Sequence, residues 1–440
     1  VGNIPHSVLN LLNNKDIESY LQIELGYDSK EFRKRKNNSI GTNNQSKLKN
    51  MIETVIKEDN EFKEKFNDFL FETFYQYELN NQLVYKLSLK KDHSKEDVYS
   101  AVEKYIQSIH IDYNNAGYFS DISNYNDKFA IVNQKVDTSD KIEILTRLFV
   151  NNHSDISKAK SVFIGFEFNF KDELITFKWN EIRIREYFKL QDKHTKISDL
   201  YAYFIETYKE ITDGTLRHMK ATSINISRDT SSEFKKTTKS NEFESFLYNL
   251  FKLDYEEKCN SFSQDAFADL EQTVSDAVEN LELHDLHDEQ AKMLVRHLKF
   301  HDIAISKEAL DYKNFIFSFA FKDLNITSSK TFSKDHKPIY GSNIYWYLVK
   351  IALDMKKLNE IGMYISFKDT KTKKTYTQEI LMTSKNGQLI FKYYQYDIVK
   401  DEGGLNNLMY KIKSRRIVDE HIKGILGEFI SKARLPKITI

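Results

Sequence analysis

The sequence predicts an α+β fold in more than one domain, with mixed helices and antiparallel sheets. Three observations predict it. Apolar residues from Leu48 to Phe74 recur mostly at helical spacing. QLVYKLSLK (82–90) alternates as a strand does, and VFIGFEFNFKDELITFKW (162–179) reads as two strands around a polar turn. Towards the C-terminus a helix-period segment precedes three strand-like runs, the last two joined by Asn386-Gly387, a strong two-residue hairpin signal.

In chain order, FRKRKNNSIGTNNQS (32–46) reads as a basic, Asn/Ser-rich linker. Residues 46–77 form one long amphipathic helix, or two with a bend near Asp59-Asn60. After the strand at 82–90, HSKEDVYSAVEKYIQSI is a helix capped by Ser94, with Asp97 three residues on. The hairpin at 162–179 follows, then a strand near 221–227, a polar basic loop at 230–240, and helices near 241–253 and 264–281. FIFSFAF (315–321) is strand-like, and a helix over 344–358 carries Ile344, Leu348, Ile351, Met355 and Leu358 in register. Strands near 362–368, 375–383 and 388–398 come next, and Gly403-Gly404 separates them from two helices, near 405–414 and 418–432. The expected domains are a helical region 1–80, a central α+β domain 81–310, and a C-terminal domain 335–440 built as a helix, a three-strand meander and two helices.

Composition excludes several classes. With 65 basic and 65 acidic residues the chain carries no net charge, so global charge argues for neither nucleic acid nor membrane. Only 13 Gly and 3 Pro in 440 residues, with 40% apolar residues, describe an ordered globular chain rather than a disordered or fibrous one. A single cysteine, Cys259, rules out a disulfide framework and any multi-cysteine zinc site. The first residues lack the pattern of a signal peptide, and no apolar run approaches the ~18 residues of a membrane span. The expected compartment is a reducing interior, the cytoplasm. Abundant Lys, Asn and Ile match the usage of an AT-rich bacterial or mobile-element genome.

Chemistry-bearing patterns are few. His297 and His301 stand four apart, on one side of a helix, with His284, His287, Asp285 and Asp288 nearby. A zinc hydrolase would carry a Glu beside the first histidine, whereas Arg296 stands in front of His297; no resident metal is expected. RHLKFH, from Arg296 to His301, resembles the Arg–four residues–His signature of HEPN ribonucleases. That resemblance implies Arg296 steadying charge on phosphorus and His301 handling the proton. The signature is short: with 12 histidines in the chain about one match is expected by chance, and Arg147–His153 is a second. A restriction-type core needs an acid on one strand and acid–x–Lys on the next. Glu167, Glu173 and Lys178 lack that spacing, although an acidic metal site drawn from distant residues stays open. Glycine-rich phosphate loops and nucleophile elbows are absent.

Charge is locally uneven. Residues 260–290 hold nine acids and no Lys or Arg. Basic clusters lie at Arg33, Lys34, Arg35 and Lys36, at 235–239, at 368–375, and at Lys411, Lys413, Arg415 and Arg416. Single clusters of this kind are usually solvated faces; converging ones contact phosphates.

The order KLSLKKDHSKEDVYSAVEKYIQSI, AGYFSD, DISKAKSVFIGFEFNF, KATSINIS and EFESFLYNLFKLD resembles, over about 83–255, bacterial nucleoid-associated proteins of the NdpA/YejK type. The resemblance is one of element order and transfers no site residues. It implies a cytoplasmic, DNA-associated, non-enzymatic role. The expected function is therefore a non-enzymatic intracellular DNA- or nucleic-acid-associated protein, nucleoid-associated or linked to phage defence. Lys411, Lys413, Arg415 and Arg416 carry the contact first and Arg33–Lys36 second. One alternative is a HEPN-like or divalent-metal nuclease using Arg296 and His301. Another is a structural subunit or homo-oligomer docking a protein partner through the acidic 260–290 helix.

Overall fold

The computed structural model describes residues 6–9, 11–86, 129–137, 141–150, 160–184, 241–260, 314–322, 328–368, 375–385, 388–394 and 405–432, with isolated positions 272, 273, 276 and 373. The fold is mixed α+β, and every described register pairs its strands antiparallel. The chain divides into two compact units: Val1–Thr230 together with Gln395–Ile440, and Ser231–Tyr394.

The first unit begins with helices α1 (His6–Leu9), α2 (Asn14–Glu24), α3 (Ser29–Asn38), α4 (Asn44–Glu58) and α5 (Asn60–Glu72). Short polar side chains start them. Asp28 accepts from the backbone N–H groups of Lys30 and Glu31 at 2.7 and 2.8 Å, satisfying donors that the first turn leaves open. The linker expected at 32–46 is thus a linker only in its middle: its basic first part, 32–38, belongs to α3, held down by the buried Phe32, and α4 begins at Asn44. The bend expected near Asp59 is present: Asp59 ends α4 and its carboxylate caps α5 through Phe62 N at 3.0 Å. A wide π-helical turn, Thr73–Glu78, follows α5 and buries four successive residues, Thr73 to Gln76.

Strands β1 (Asn81–Lys86), β2 (Phe129–Asp137), β3 (Lys141–Val150), β4 (Lys160–Asn169) and β5 (Leu174–Trp179) lie in the order β2-β3-β4-β5-β1. The expected hairpin is β4–β5; β2 and β3 were not anticipated. One face of this sheet packs on the N-terminal helices, because Leu145 and Phe163 belong to the same apolar core as Tyr20, Phe66, Phe69 and Phe74. Gly165 makes that approach possible: a Cβ there would stand 2.9 Å from the Tyr75 ring.

The C-terminal described element of this unit is α8 (Leu405–Lys432), one helix of 28 residues where two were expected. The reason is visible in its buried stripe. Leu408, Ile412, Arg415, Asp419, Ile422, Leu426 and Ile430 follow each other at steps of three and four, and all are buried. The two central positions are charged, so the apolar period is interrupted in the sequence while the helix continues.

The second unit holds α6 (Asn241–Asn260), β6 (Phe315–Lys322), β7 (Ser328–Phe332), α7 (Asn343–Met355), β8 (Glu360–Lys368), β9 (Thr375–Lys385) and β10 (Gln388–Tyr393), with the strand order β10-β9-β8-β6-β7. The expected helix and three-strand meander are α7 and β8–β10. Lys385 pairs with Gln388, which leaves the two-residue connection that Asn386-Gly387 signals. Helices α6 and α7 cover one sheet face: Phe251 and Tyr345 meet Phe319 with ring centroids 5.0 and 5.9 Å apart. In α7 the inward stripe is Tyr345, Val349 and Ala352, whereas Ile344 and Ile351, from the expected stripe, are exposed. This helix is apolar on both sides, so its period alone does not say which side faces in.

Among the described residues no helix is long and apolar enough to cross a membrane. The expected elements at 94–109 and 221–227, the loop at 230–240, and the helix at 264–281 apart from Gln272, Thr273 and Asp276 lie outside the described residues.

Candidate functional site

The C-terminal basic run divides by direction. Arg415 is buried and its Nη1 donates to the Tyr77 carbonyl at 3.2 Å. Arg416 turns the same way; its Nη2 donates to both Glu72 carboxylate oxygens at 2.7 and 3.0 Å and to Glu143 Oε2 at 3.1 Å. Two of the four residues expected to meet phosphate first are thus committed to internal partners. Lys411 is half-buried; it acts on Asp16, which lines a cavity of about 220 Å³ with Leu12, Phe69, Tyr77, Glu78 and Leu408, and burial raises the Asp16 carboxyl pKa against the pull of Lys411. Burial likewise raises Glu78, against Arg183 and Arg415. Lys413 is exposed.

Arg416 leads into a buried charge cluster that the sequence reading met only in part. Strand alternation puts Lys141 and Glu143 of β3, Glu167 of β4 and Lys178 of β5 on one sheet face. Glu143 pairs across to Glu167, and Lys178 stands opposite Gly165. Helix α8 lays Asp419 and Lys423 on this face. Lys423 Nζ donates to Glu167 Oε1 at 2.9 Å and to Asp419 Oδ2 at 2.8 Å. Lys178 Nζ stands 3.3 Å from Glu167 Oε2 and 3.6 Å from Asp419 Oδ2, donates to Gln76 Oε1 at 3.3 Å, and lies 4.2 Å from the Tyr75 ring centroid. Lys141 closes the outer side at 2.9 Å from Glu143 and 3.3 Å from Glu420.

The electrostatics follow from this packing. Burial pushes the Glu167 carboxyl up, but Lys141, Lys423 and Lys178 overcome it and hold the group well below the ordinary carboxylate range. Asp419 is lowered by Lys423 and Lys178 in the same contest with burial. Lys178 goes the other way: burial and the neighbouring Lys423 ammonium lower it, despite three nearby carboxylates. The acids here are matched by lysines and an arginine. Among the described residues no group of three or more His, Cys, Asp or Glu is arranged to hold a metal. The centre of the cluster, Glu167, Lys178, Asp419 and Lys423, is buried and fixes α8 to the sheet, while Lys141, Arg416 and Glu420 reach the edge. Lys141, Glu143, Asp419 and Lys423 were missed by the sequence reading. The available signal was charge at alternate positions inside otherwise apolar strands.

The other basic run sits on α3. At about 100° per residue, Arg33, Asn37, Lys30 and Lys34 fall within an arc of about 100°, and all four are exposed. Their neighbours are tied: Arg35 bonds Glu31 at 3.1 Å and covers the Tyr27 ring at 4.3 Å, and Lys36 bonds Glu18 at 2.9 Å. Among the described residues no carboxylate pairs with Lys30, Arg33 or Lys34.

No family model, curated protein or solved structure matches this chain. Arg296, His297 and His301, the residues His284–Asp288, the basic stretch 235–239, and the acidic stretch 260–290 apart from Asn260, Gln272, Thr273 and Asp276 lie outside the described residues.

Proposed function

We propose that this chain is a non-enzymatic nucleic-acid-binding protein that grips the phosphate backbone with the exposed face of α3. One observation carries the reading: Lys30, Arg33 and Lys34 point outward together, unmatched by carboxylates among the described residues, while Arg35, Lys36, Arg415 and Arg416 are internally engaged. Three cations on about one turn and a half of helix, followed by Asn37 on the same side, present positive charge to a phosphate backbone together, as single scattered lysines do not. The Asp28 cap fixes the helix backbone under this face before a ligand arrives, so ordering on binding is confined to the side chains. Nucleoid association, which the resemblance in element order implies, is one setting for such an activity.

The test is fluorescence anisotropy with labelled duplex DNA over a salt series. For wild type, log K falls linearly with log[salt]. In the Lys30→Ala/Arg33→Ala/Lys34→Ala variant the slope shrinks by up to about 0.9 for each lost phosphate contact. Absence of binding at low salt, or a slope untouched by the triple substitution, sinks the proposal. Cleavage of the probe in Mg²⁺, lost in Arg296→Ala/His301→Ala, would replace it with the nuclease reading.

A further inference from the structure

The second unit carries a sheet face of a different character. Pairing registers place Lys330 and Phe332 of β7 beside Ala320 and Ser318 of β6. From there the same face runs through Glu360 and Gly362 of β8 and Thr383 and Leu381 of β9 to Ile390 and Lys392 of β10. Helices α6 and α7 sit on the opposite side, against Phe319. This face stays partly open: Phe332 is 51% exposed, and Tyr364, Lys392 and Tyr394 are half-buried.

Flat rings are concentrated on it. Phe315 stacks on Tyr364 with centroids 4.8 Å apart and planes 7° from parallel. Phe317, seated over Gly362 where a Cβ would meet its ring, stacks under His336 at 4.4 Å. His336 in turn meets Tyr394 edge-on at 4.5 Å and Phe332 at 5.7 Å. The histidine is held deliberately. Its backbone adopts φ +50°, costly for a residue with a side chain, and its Nδ1 is fixed by Glu379 Oε2 at 2.6 Å. Cations flank the rings, with Lys330 Nζ 6.0 Å from the Phe332 centroid and Lys392 Nζ 5.6 Å from that of Tyr394. The acids on this face, Glu360 and Glu379, are already engaged by Lys330 and His336.

From this juxtaposition we infer that the open sheet face of the second unit is a stacking platform for unpaired bases, so that the chain's nucleic acid is single-stranded there. The inference rests on the nucleic-acid reading above and specifies its ligand. Bases of any sequence present a flat π-face that Phe332 and the His336–Tyr394 pair can receive, and Lys392 beside the Tyr394 ring meets the backbone. A duplex keeps its bases stacked on one another and gains nothing from exposed rings. An acidic protein partner would use the lysines but would not need the exposed Phe332 ring or the half-buried Tyr394 ring beside them.

The test compares a labelled 12-nucleotide single strand, as RNA and as DNA, with a duplex of the same sequence, by anisotropy on the full chain. Phe332→Ala should weaken the single strand by about five- to a hundredfold and leave the duplex unchanged, with an unaltered melting temperature because the ring is half in solvent. Lys392→Gln should weaken the single strand more mildly and reduce its salt dependence. Equal single-strand affinity for wild type and Phe332→Ala overturns the inference, as does an equal loss on both probes. Duplex binding that depends on α3 while single strands bind no better than background overturns the platform alone. Failure of both probes at low salt overturns platform and α3 together.

Discussion

Lys178 Nζ lies 3.3 Å from Glu167 Oε2, and neither side chain reaches solvent, at 0% and 1% exposure. Two opposite charges removed from water stabilise little as a pair, yet removing Lys178 leaves Glu167 and Asp419 to share Lys423, one cation short in a medium that solvates charge poorly. Lys178→Met should therefore lower unfolding free energy by about 3–5 kcal/mol, read from urea denaturation. A loss below about 1 kcal/mol, the scale of a surface pair, would mean that water enters the cluster.

The same cluster sets a direction for acid stability. Glu167, Glu143 and Asp419 have folded pKa values below their ordinary 4.5, 4.5 and 3.8. A depressed carboxylate contributes stability that is present above its unfolded value and is lost as pH falls through the folded one. Stability should thus hold down to about pH 5 and then decline steeply. Glu167→Gln should be less stable at neutral pH and show a shallower acid decline. Parallel curves for the two proteins would place the acid transition elsewhere.

Arg416 distinguishes an internal role from a phosphate contact. Arg416→Gln leaves Glu143 without its guanidinium and should lower the melting temperature by several degrees while the salt slope of DNA binding stays as in wild type. A reduced slope with unchanged melting would return Arg416 to the interface.

Asp28 links a cap to binding. Asp28→Ala removes the acceptor for two backbone N–H groups of α3 and should cost about 1 kcal/mol of local stability. Because Lys30, Arg33 and Lys34 share that helix, DNA affinity should fall too, though no cation has been removed. Backbone amide exchange in α3 and anisotropy together report the pair of effects.

Gly165→Ala should disturb the contact between the wide turn and the sheet. Its Cβ would press on the buried Tyr75 ring, whose hydroxyl donates to the Phe166 carbonyl at 2.8 Å. A destabilisation of about 1–3 kcal/mol is expected from such overpacking, measured by chemical denaturation.

The sequence made local features legible where one residue type does one job. Asp59 marked the bend, the polar turn before Leu174 marked the β4–β5 hairpin, and the apolar period marked α4 and α5. Helix α3 was hidden because Arg33–Lys36 look like linker charge, although Asp28 with Glu31 three residues on was a cap signal. Helix α8 was split because Arg415 and Asp419 occupy its inward stripe. The charge cluster was invisible for a related reason. Glu167 and Lys178 were weighed as a motif along the chain, whereas they meet through strand register and through partners on α8. The open face of the second unit depends on which side of the sheet α6 and α7 cover, and no local pattern encodes that.

Lys423 reaches Glu167 across 256 positions of sequence, and the whole second unit lies between them. A ribosome delivers Glu143, Glu167 and Lys178 long before it delivers Arg416, Asp419 and Lys423. Throughout that interval Lys141 and Lys178 have Glu143 and Glu167 beside them but lack Arg416, Asp419 and Lys423, while Ser231–Tyr394 is one uninterrupted run of chain that is already synthesised. Maturation of the first unit is therefore timed by the arrival of α8, and a chain stalled or clipped before Leu405 would carry all of Ser231–Tyr394 attached to an incomplete first unit.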